Sequence, residues 1–410
     1  MFNGANTAFM LLCSALVLLM TPGLAFFYGG LVGRKNTLTI MVQSFASMGI
    51  TTILWWVVGY SLCFSGGDGG IYGNFHNAFL SHVDVSSVYA PSHIPLTVFI
   101  AYQLMFAIIT PALITGAFAD RVTFRAYLIF LVGWQLLVYY PFVHMVWGGG
   151  VLQNWGVRDF AGGIAVHATA GFAGLASVLY VGRRKIVDSP HNIPFIALGT
   201  GLLWFGWYGF NAGSELKVDN IAALAFLNTT LAAGFASITW LAFDWSATNK
   251  PHFVGLLTGA VAGLACVTPA AGYVPIWAAP VIGVAAGVVC NLAIRLKNRL
   301  QWDDALDVWG VHGVGGLLGI ILLGVFAGTA INPAGGQGLI HGTGGFFGKE
   351  LVAGVGASLY AFAFTYAMLR VINLITPVHV GAEEERGLDA AEFGETAYTF
   401  GTWPSSAGAK

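Results

Sequence analysis

Two segments of the chain carry the same polar pattern inside apolar surroundings. Asp159-Phe-Ala-Gly-Gly-Ile-Ala-Val-His167-Ala-Thr-Ala-Gly171 and Asp304-Ala-Leu-Asp-Val-Trp-Gly-Val-His312-Gly-Val-Gly-Gly316 both read Asp, seven residues ending in Val, His, and Gly four positions further on. A single His in an apolar helix is ordinarily a hydrogen-bonded packing residue, but ionisable groups are costly in a membrane and tend to mark a pathway. Two in equivalent positions point to function. Two neighbouring neutral imidazoles can share one N–H···N bond and leave a donor and an acceptor for a passing molecule or proton. Two His on different helices can also ligate a haem; nothing else in the sequence supports an electron pathway, and a haem absorption band would decide it. Asp159 and Asp304 have a plain structural use as well, since a carboxylate at a helix start accepts first-turn N–H groups and complements the dipole.

The elements that position these groups follow from composition. Of 410 residues, 57% are hydrophobic and only 9% charged, against about a quarter charged in soluble proteins. Apolar runs long enough to cross about 30 Å of hydrocarbon recur along the chain. Breaks at charged or Gly/Pro-rich loops predict eleven spans, near 7–30, 38–64, 94–119, 124–146, 160–182, 193–211, 221–245, 253–269, 276–297, 308–330 and 348–375. His167 opens the fifth and His312 the tenth. Five spans separate them, an odd number that inverts the second copy in the membrane. Eight residues at ~1.5 Å each carry the chain about 12 Å inward from each Asp, so antiparallel helices bring both His toward the bilayer centre. The expected fold is an all-α polytopic membrane protein of two inverted five-helix repeats, about 7–182 and 193–330, plus a long final helix.

Basic residues give the orientation, because Lys and Arg accumulate in cytoplasmic loops. With the N-terminus outside, Arg34, Lys35, Arg121, Arg125, Arg183, Arg184, Lys185, Lys250, Arg295, Lys297 and Arg299 fall inside with Arg370, Arg386 and Lys410. Only Arg158, Lys217 and Lys349 of the 17 fall outside. The membrane domain is expected at 1–376. The polar segment 377–410, with Glu383-Glu384-Glu385-Arg386, is expected to be a solvated cytoplasmic tail. A net charge of −1 without a basic stretch gives no sign of nucleic-acid binding. Cys13, Cys63, Cys266 and Cys290 lack CxxC spacing and read as packing residues, so no metal or cofactor is expected. The N-terminus has no Lys or Arg and no clear cleavage pattern, which argues against a removed signal peptide. His76, His82 and His93 fall in a long outer loop and read as solvated, while His144 and His341 read as interfacial. Most of the 13 Trp read as belt or packing residues.

Nearly the whole chain resembles the Amt/Mep ammonium transporter family, related to the Rh proteins. The resemblance rests on Thr21-Pro-Gly-Leu-Ala-Phe-Phe-Tyr-Gly-Gly30, His144-Met-Val-Trp-Gly-Gly-Gly150, Asp159-Phe-Ala-Gly-Gly163 with His167, Gly206-Trp-Tyr-Gly-Phe-Asn-Ala-Gly-Ser214, Asp307-Val-Trp-Gly-Val-His-Gly313 and Gly387-Leu-Asp389. It implies a homotrimer in the cytoplasmic (inner) membrane serving nitrogen uptake, a transporter and not an enzyme, with one pore per subunit. Carried onto matching positions, it implies an outer ammonium site of Trp147 and Ser214, joined by Tyr102 where many relatives have Phe. Phe106 and Phe210 would be the stacked gate, Trp207 would pack beside the pore, and Asp159 and Asp304 would support it. Ile109, Leu113 and Val308 would line the apolar wall, with His167 and His312 as the paired imidazoles.

These roles make chemical sense. An ammonium ion over Trp147 gains ~0.5–2 kcal/mol, and Ser214 can accept one of its N–H bonds. Moving the intact charge into low dielectric costs of order 20 kcal/mol before compensation, whereas removing a proton from a group of pKa ~10.4 at pH 7 costs about 4–5 kcal/mol. Deprotonation followed by passage of ammonia is therefore expected, with the proton relayed separately. An ammonium sensor on the same scaffold, signalling through the tail or a partner, is the alternative. Gly387-Leu-Asp389 and Gly394-Glu-Thr-Ala-Tyr398 resemble the family's cytoplasmic end, with Phe393 where many relatives carry His, and imply a P-II-type regulatory partner.

Overall fold

A computed structural model describes residues 1–342, 344–381, 384 and 387–398. Glu383, Glu385, Arg386 and Lys410 of the expected tail lie outside the described residues. Ten helices among the described residues are long and apolar enough to span a membrane: α1 (Gly4–Leu31), α2 (Thr37–Phe64), α3 (Leu96–Ile114), α4 (Phe124–Trp155), α5 (Gly163–Val181), α6 (Ile193–Glu215), α7 (Asn220–Thr248), α9 (Ala278–Arg299), α10 (Trp309–Phe326) and α11 (Gly345–Ile375). The expected eighth span is present as α8 (Phe253–Val267), 15 residues long. At ~1.5 Å per residue it falls short of a bilayer's hydrocarbon thickness, so ten of the eleven expected helices meet the length for a span. A short helix, α12 (Leu388–Phe393), follows near the end.

Local chemistry sets the helix starts. Asn3, Thr123 and Asn192 each accept a first-turn N–H of α1, α4 and α6, and Asp219 accepts two from α7; such caps satisfy amides that the helix itself cannot. α1 runs along α6, and α7 packs on α8 and α9 while α5 packs on α11. The loop between α2 and α3 holds a two-residue antiparallel ribbon, with Val88 opposite Pro95 and Tyr89 opposite Ile94.

The repeat closes on itself at its glycines. A methyl group on Gly171 would stand 2.0 Å from the amide nitrogen of Gly313, and one on Gly316 would stand 2.7 Å from His167 Cβ. Each copy's glycine thus admits the backbone around the other copy's histidine, as small residues do between membrane helices.

Part of the expected solvated tail is docked. Leu388 and Asp389 are buried. The Asp389 carboxylate accepts the backbone N–H groups of Leu38 and Thr39 at 3.0 and 2.8 Å and the Thr39 hydroxyl at 2.8 Å. The start of α2 leaves room for it: Asn36 caps no amide of its own helix and instead accepts the Leu388 N–H and donates to Asp120. Asp389 fills the vacancy, burial pushing its carboxyl up while those donors oppose the rise. Phe393 lies edge-on to Phe124, ring centroids 5.1 Å apart.

Candidate functional site

His167 and His312 sit in matching wide turns, Gly163–Ala168 and Trp309–Val314, of the i→i+5 type that often marks functional positions in helices. Each turn is held from its own Asp. The Asp159 carboxylate accepts four backbone N–H groups, from Gly162 and Gly163 on one oxygen and Ile164 and Ala165 on the other, at 2.6–3.2 Å. Gly162, at φ +123°, makes the turn that aims them. Asp304 accepts the N–H groups of Val308 and Trp309 at 3.0 and 2.7 Å, and Lys297 donates to its carbonyl at 2.6 Å.

The imidazoles meet through Nδ1 atoms 3.3 Å apart, their planes 17° from parallel. One ring donates and the other accepts, the sharing expected of a neutral pair. His167 Nε2 is buried with no protein partner among the described residues. Both rings line an internal cavity with Met20, Leu24, Phe27, Ile109, Leu113, Val166, Leu203, Trp207, Phe210 and Val261. Its space for molecular centres is about 10 Å³, on the order of one water-sized molecule. His312 also lines a wider cavity of about 260 Å³ on the far side, with Arg184, Asp188 and Asp307.

A vestibule of about 190 Å³ on the other side of the internal cavity holds Phe106, Trp147, Asp159 and Ser214. Phe106 faces this vestibule, and Phe210 faces the inner cavity. Their rings lie 4.2 Å apart, tilted by 30° to one another, between the two spaces. The Trp147 indole donates to the Asp159 carbonyl at 2.8 Å, which fixes its ring at the mouth. Ser214 donates to the Phe210 carbonyl at 2.8 Å, leaving its lone pairs free to accept. Trp207 stacks on His167 at 5.5 Å and spends its N–H on Thr268.

The structure therefore brings together Trp147, Ser214, Phe106, Phe210, His167, His312, Trp207, Ile109 and Leu113. Three placements differ from expectation. Tyr102 is buried beneath Ser214, donating to the Gly209 and Phe210 carbonyls at 2.9 and 3.1 Å with Ser214 Oγ at 3.3 Å; it supports the mouth and offers no open face. Val308 lines none of these three cavities and packs beside Gly116 and Gly174. His144 is fully buried, its ring nitrogens 2.9 and 3.1 Å from the Cys63 and Gly67 carbonyls, so it ties the end of α2 and the loop after it to α4 and does not face an interface.

Sequence reasoning missed Gln103, Glu215 and the stacked pair Tyr89 and Phe99, all at the vestibule. Glu215 follows the Ser214 motif directly and could have been found there; it faces Lys217 at 3.3 Å. At the opposite end Asp303, next to Asp304, binds Arg184 at 2.7 Å and approaches Arg121 at 3.6 Å. Burial works against the Asp303 charge, but hydrogen bonds from Arg184 and the two guanidinium charges hold its carboxyl down at about 2.

The family described as Ammonium Transporter Family matches residues 8–398. The chain is 43% identical to an ammonium transporter of Bacillus subtilis, covering 96% of this chain and 98% of the relative. It is 45% identical to a putative ammonium transporter of Methanothermobacter thermautotrophicus, covering 97% and 99%. Among solved structures it is similar to Candida albicans Mep2, with TM-score 0.88, 35% identity, and 97% and 91% of the two chains covered. It is also similar to a structure described as a Sensor Amt Protein, with TM-score 0.86, 27% identity, and 95% and 98% covered.

Proposed function

The chain belongs to the ammonium transporter family, multi-pass membrane transporters and not enzymes, and from that premise we propose that it strips ammonium of a proton at its mouth and passes ammonia between His167 and His312. Trp147 and Ser214 recruit the ion in the outer vestibule, with the Asp159 carboxylate close by but spent on four amides. Beyond Phe106 and Phe210 the cavity holds about one water-sized molecule, with no room for a hydration shell. The observation that carries this reading is the imidazole pair, Nδ1 to Nδ1 at 3.3 Å, set between that narrow cavity and the wider one beyond. The pair binds ammonia and relays the proton separately.

The wider cavity is read as the cytoplasmic exit, because Arg34, Lys35, Arg121, Arg183, Arg184 and Lys297 belong to the loops assigned inside by the excess of basic residues there. On this reading the N-terminus is outside and the tail cytoplasmic; a location in the inner membrane and a homotrimeric assembly are part of the proposal through the family resemblance. The docked segment around Asp389 is the surface on which a P-II-type regulator would act. The test is electrical: His167→Ala and His312→Ala should each abolish or strongly reduce the ammonium-evoked current in proteoliposomes. Currents left intact in both would end the relay. An absence of both current and ammonium uptake in the unaltered protein would select the sensor, a reading kept by the similarity to the Sensor Amt Protein.

A further inference from the structure

Glu350, on α11, plays no part in the route just described, yet it is fully buried. One carboxyl oxygen accepts the backbone N–H of Arg158 at 2.6 Å, and the other has no partner among the described residues. The Arg158 guanidinium, though near enough to act on this carboxyl through its charge, spends its hydrogen bonds on the carbonyls of Ala334, Val157 and Gln153. A buried carboxyl satisfied on one oxygen is expensive, and an apolar residue would pack α11 at lower cost. What Glu350 supplies is an acceptor for one particular amide.

That amide lies one residue before Asp159, whose carbonyl holds the Trp147 indole and whose carboxylate caps the turn carrying His167. The next anchor along the segment is the Phe160 N–H on the Pro269 carbonyl at 3.1 Å. We infer that Glu350 is a positioning residue for the outer ammonium site: it fixes the segment 157–159 so that the Asp159 carbonyl meets the indole of Trp147. The inference rests on Trp147 being a recruitment residue. The two consequences of losing the anchor are unequal. Four hydrogen bonds hold the His167 turn, whereas one hydrogen bond orients the indole, so binding suffers before conduction.

Glu350→Leu, Glu350→Gln and Trp147→Ala are compared by ammonium-evoked currents in proteoliposomes, normalised to monodisperse protein. Glu350→Leu should raise the half-saturating ammonium concentration about fivefold or more, the scale of one lost neutral hydrogen bond, with the maximal current reduced less than about twofold. Glu350→Gln keeps the acceptor and should stay within about twofold of the parent. If Glu350→Leu does not fold, Glu350→Asp, which withdraws the acceptor by one methylene, should show the same split. The inference is overturned if Glu350→Gln is impaired as severely as Glu350→Leu, or if the leucine variant loses maximal current with unchanged half-saturation. Trp147→Ala separates the failures. If it raises half-saturation while Glu350→Leu does not, Glu350 is not a positioning residue; if Trp147→Ala itself changes nothing, the recruitment reading falls and the role of Glu350 with it.

Discussion

The paired histidines depend on two glycines, and that dependence can be measured. An alanine methyl at Gly171 would lie 2.0 Å from the Gly313 nitrogen and 2.1 Å from its Cα, where ordinary contact begins near 3.4 Å. The α5 and α10 backbones would have to part by roughly 1.4 Å, and both clashing atoms are backbone that cannot rotate aside. At Gly316 the shortfall is smaller, since the nearest atom is His167 Cβ at 2.7 Å, and roughly 0.7 Å of movement restores contact. Either shift carries the Nδ1 pair, now 3.3 Å apart, toward or past the limit of a hydrogen bond at about 3.5 Å. Alanine for glycine inside a helix gains about 1 kcal/mol in propensity; overpacking costs about 1–3 kcal/mol, and the conflict at Gly171 belongs at or beyond the top of that range. The clash therefore wins at Gly171 and narrowly at Gly316. Gly356, with nothing within 4 Å of its added carbon, is the control and should be neutral or slightly stabilised. Thermal unfolding in detergent and ammonium-evoked current should both rank the variants Gly356→Ala, Gly316→Ala, Gly171→Ala, from unaffected to worst. A Gly171→Ala protein with the parent's midpoint and current would refute the claim that close backbone approach sets the imidazole pair.

Trp147→Leu should raise the half-saturating ammonium concentration about 2- to 30-fold, the equivalent of ~0.5–2 kcal/mol of cation–π attraction, while the maximal current changes less; an unchanged half-saturation removes Trp147 from recruitment. Asp303 has its carboxyl held at about 2 against an ordinary 3.8, so its contribution to stability is complete above pH 3.8 and is lost as pH falls toward 2. That shift corresponds to about 2 kcal/mol. Asp303→Asn should lower the unfolding midpoint at neutral pH, and the gap from the parent should narrow steadily below about pH 4; a gap undiminished at pH 2 would show that charge pairing with Arg184 and Arg121 is not its source.

The elements of this site that were legible in the sequence are those fixed by covalent spacing. The eight-residue interval from Asp159 to His167, repeated from Asp304 to His312, dictates a capped turn with a histidine at a set depth, and the structure shows both caps. Side-chain direction was harder to read. The α3 helix is buried over most of its surface, so its sequence has no apolar face to mark which residues look into a cavity; the resemblance alone puts Tyr102 at the mouth, and its phenol is spent on two carbonyls beneath Ser214. Val308 is likewise a wall residue only by the resemblance; it stands just before the wide turn that carries His312, and its side chain packs beside Gly116 and Gly174. Contacts between distant segments left no local trace at all: Asp389 caps a helix about 350 positions away, and Glu350 holds Arg158 across 192.

The distribution of polar atoms argues for separating the proton from the nitrogen. A carboxylate that bound the ion directly would attract it but also retain it. Asp159 lines the vestibule with its oxygens already committed to four amides, so it offers a field without a trap. Below the phenylalanine pair, an intact ammonium ion would need acceptors for four N–H groups. The wall there is Ile109, Leu113, Leu203, Val261 and their apolar neighbours; Trp207 has given its only N–H to Thr268, and an indole N–H could not accept in any case. That leaves the two imidazoles, which already share one hydrogen bond, and no carboxylate among the described residues pairs with either ring. Ammonia, with one lone pair and three weak donors, asks little of such a wall. A proton lodged on the pair finds no carboxylate paired with either ring to keep it, which suits the proposed relay.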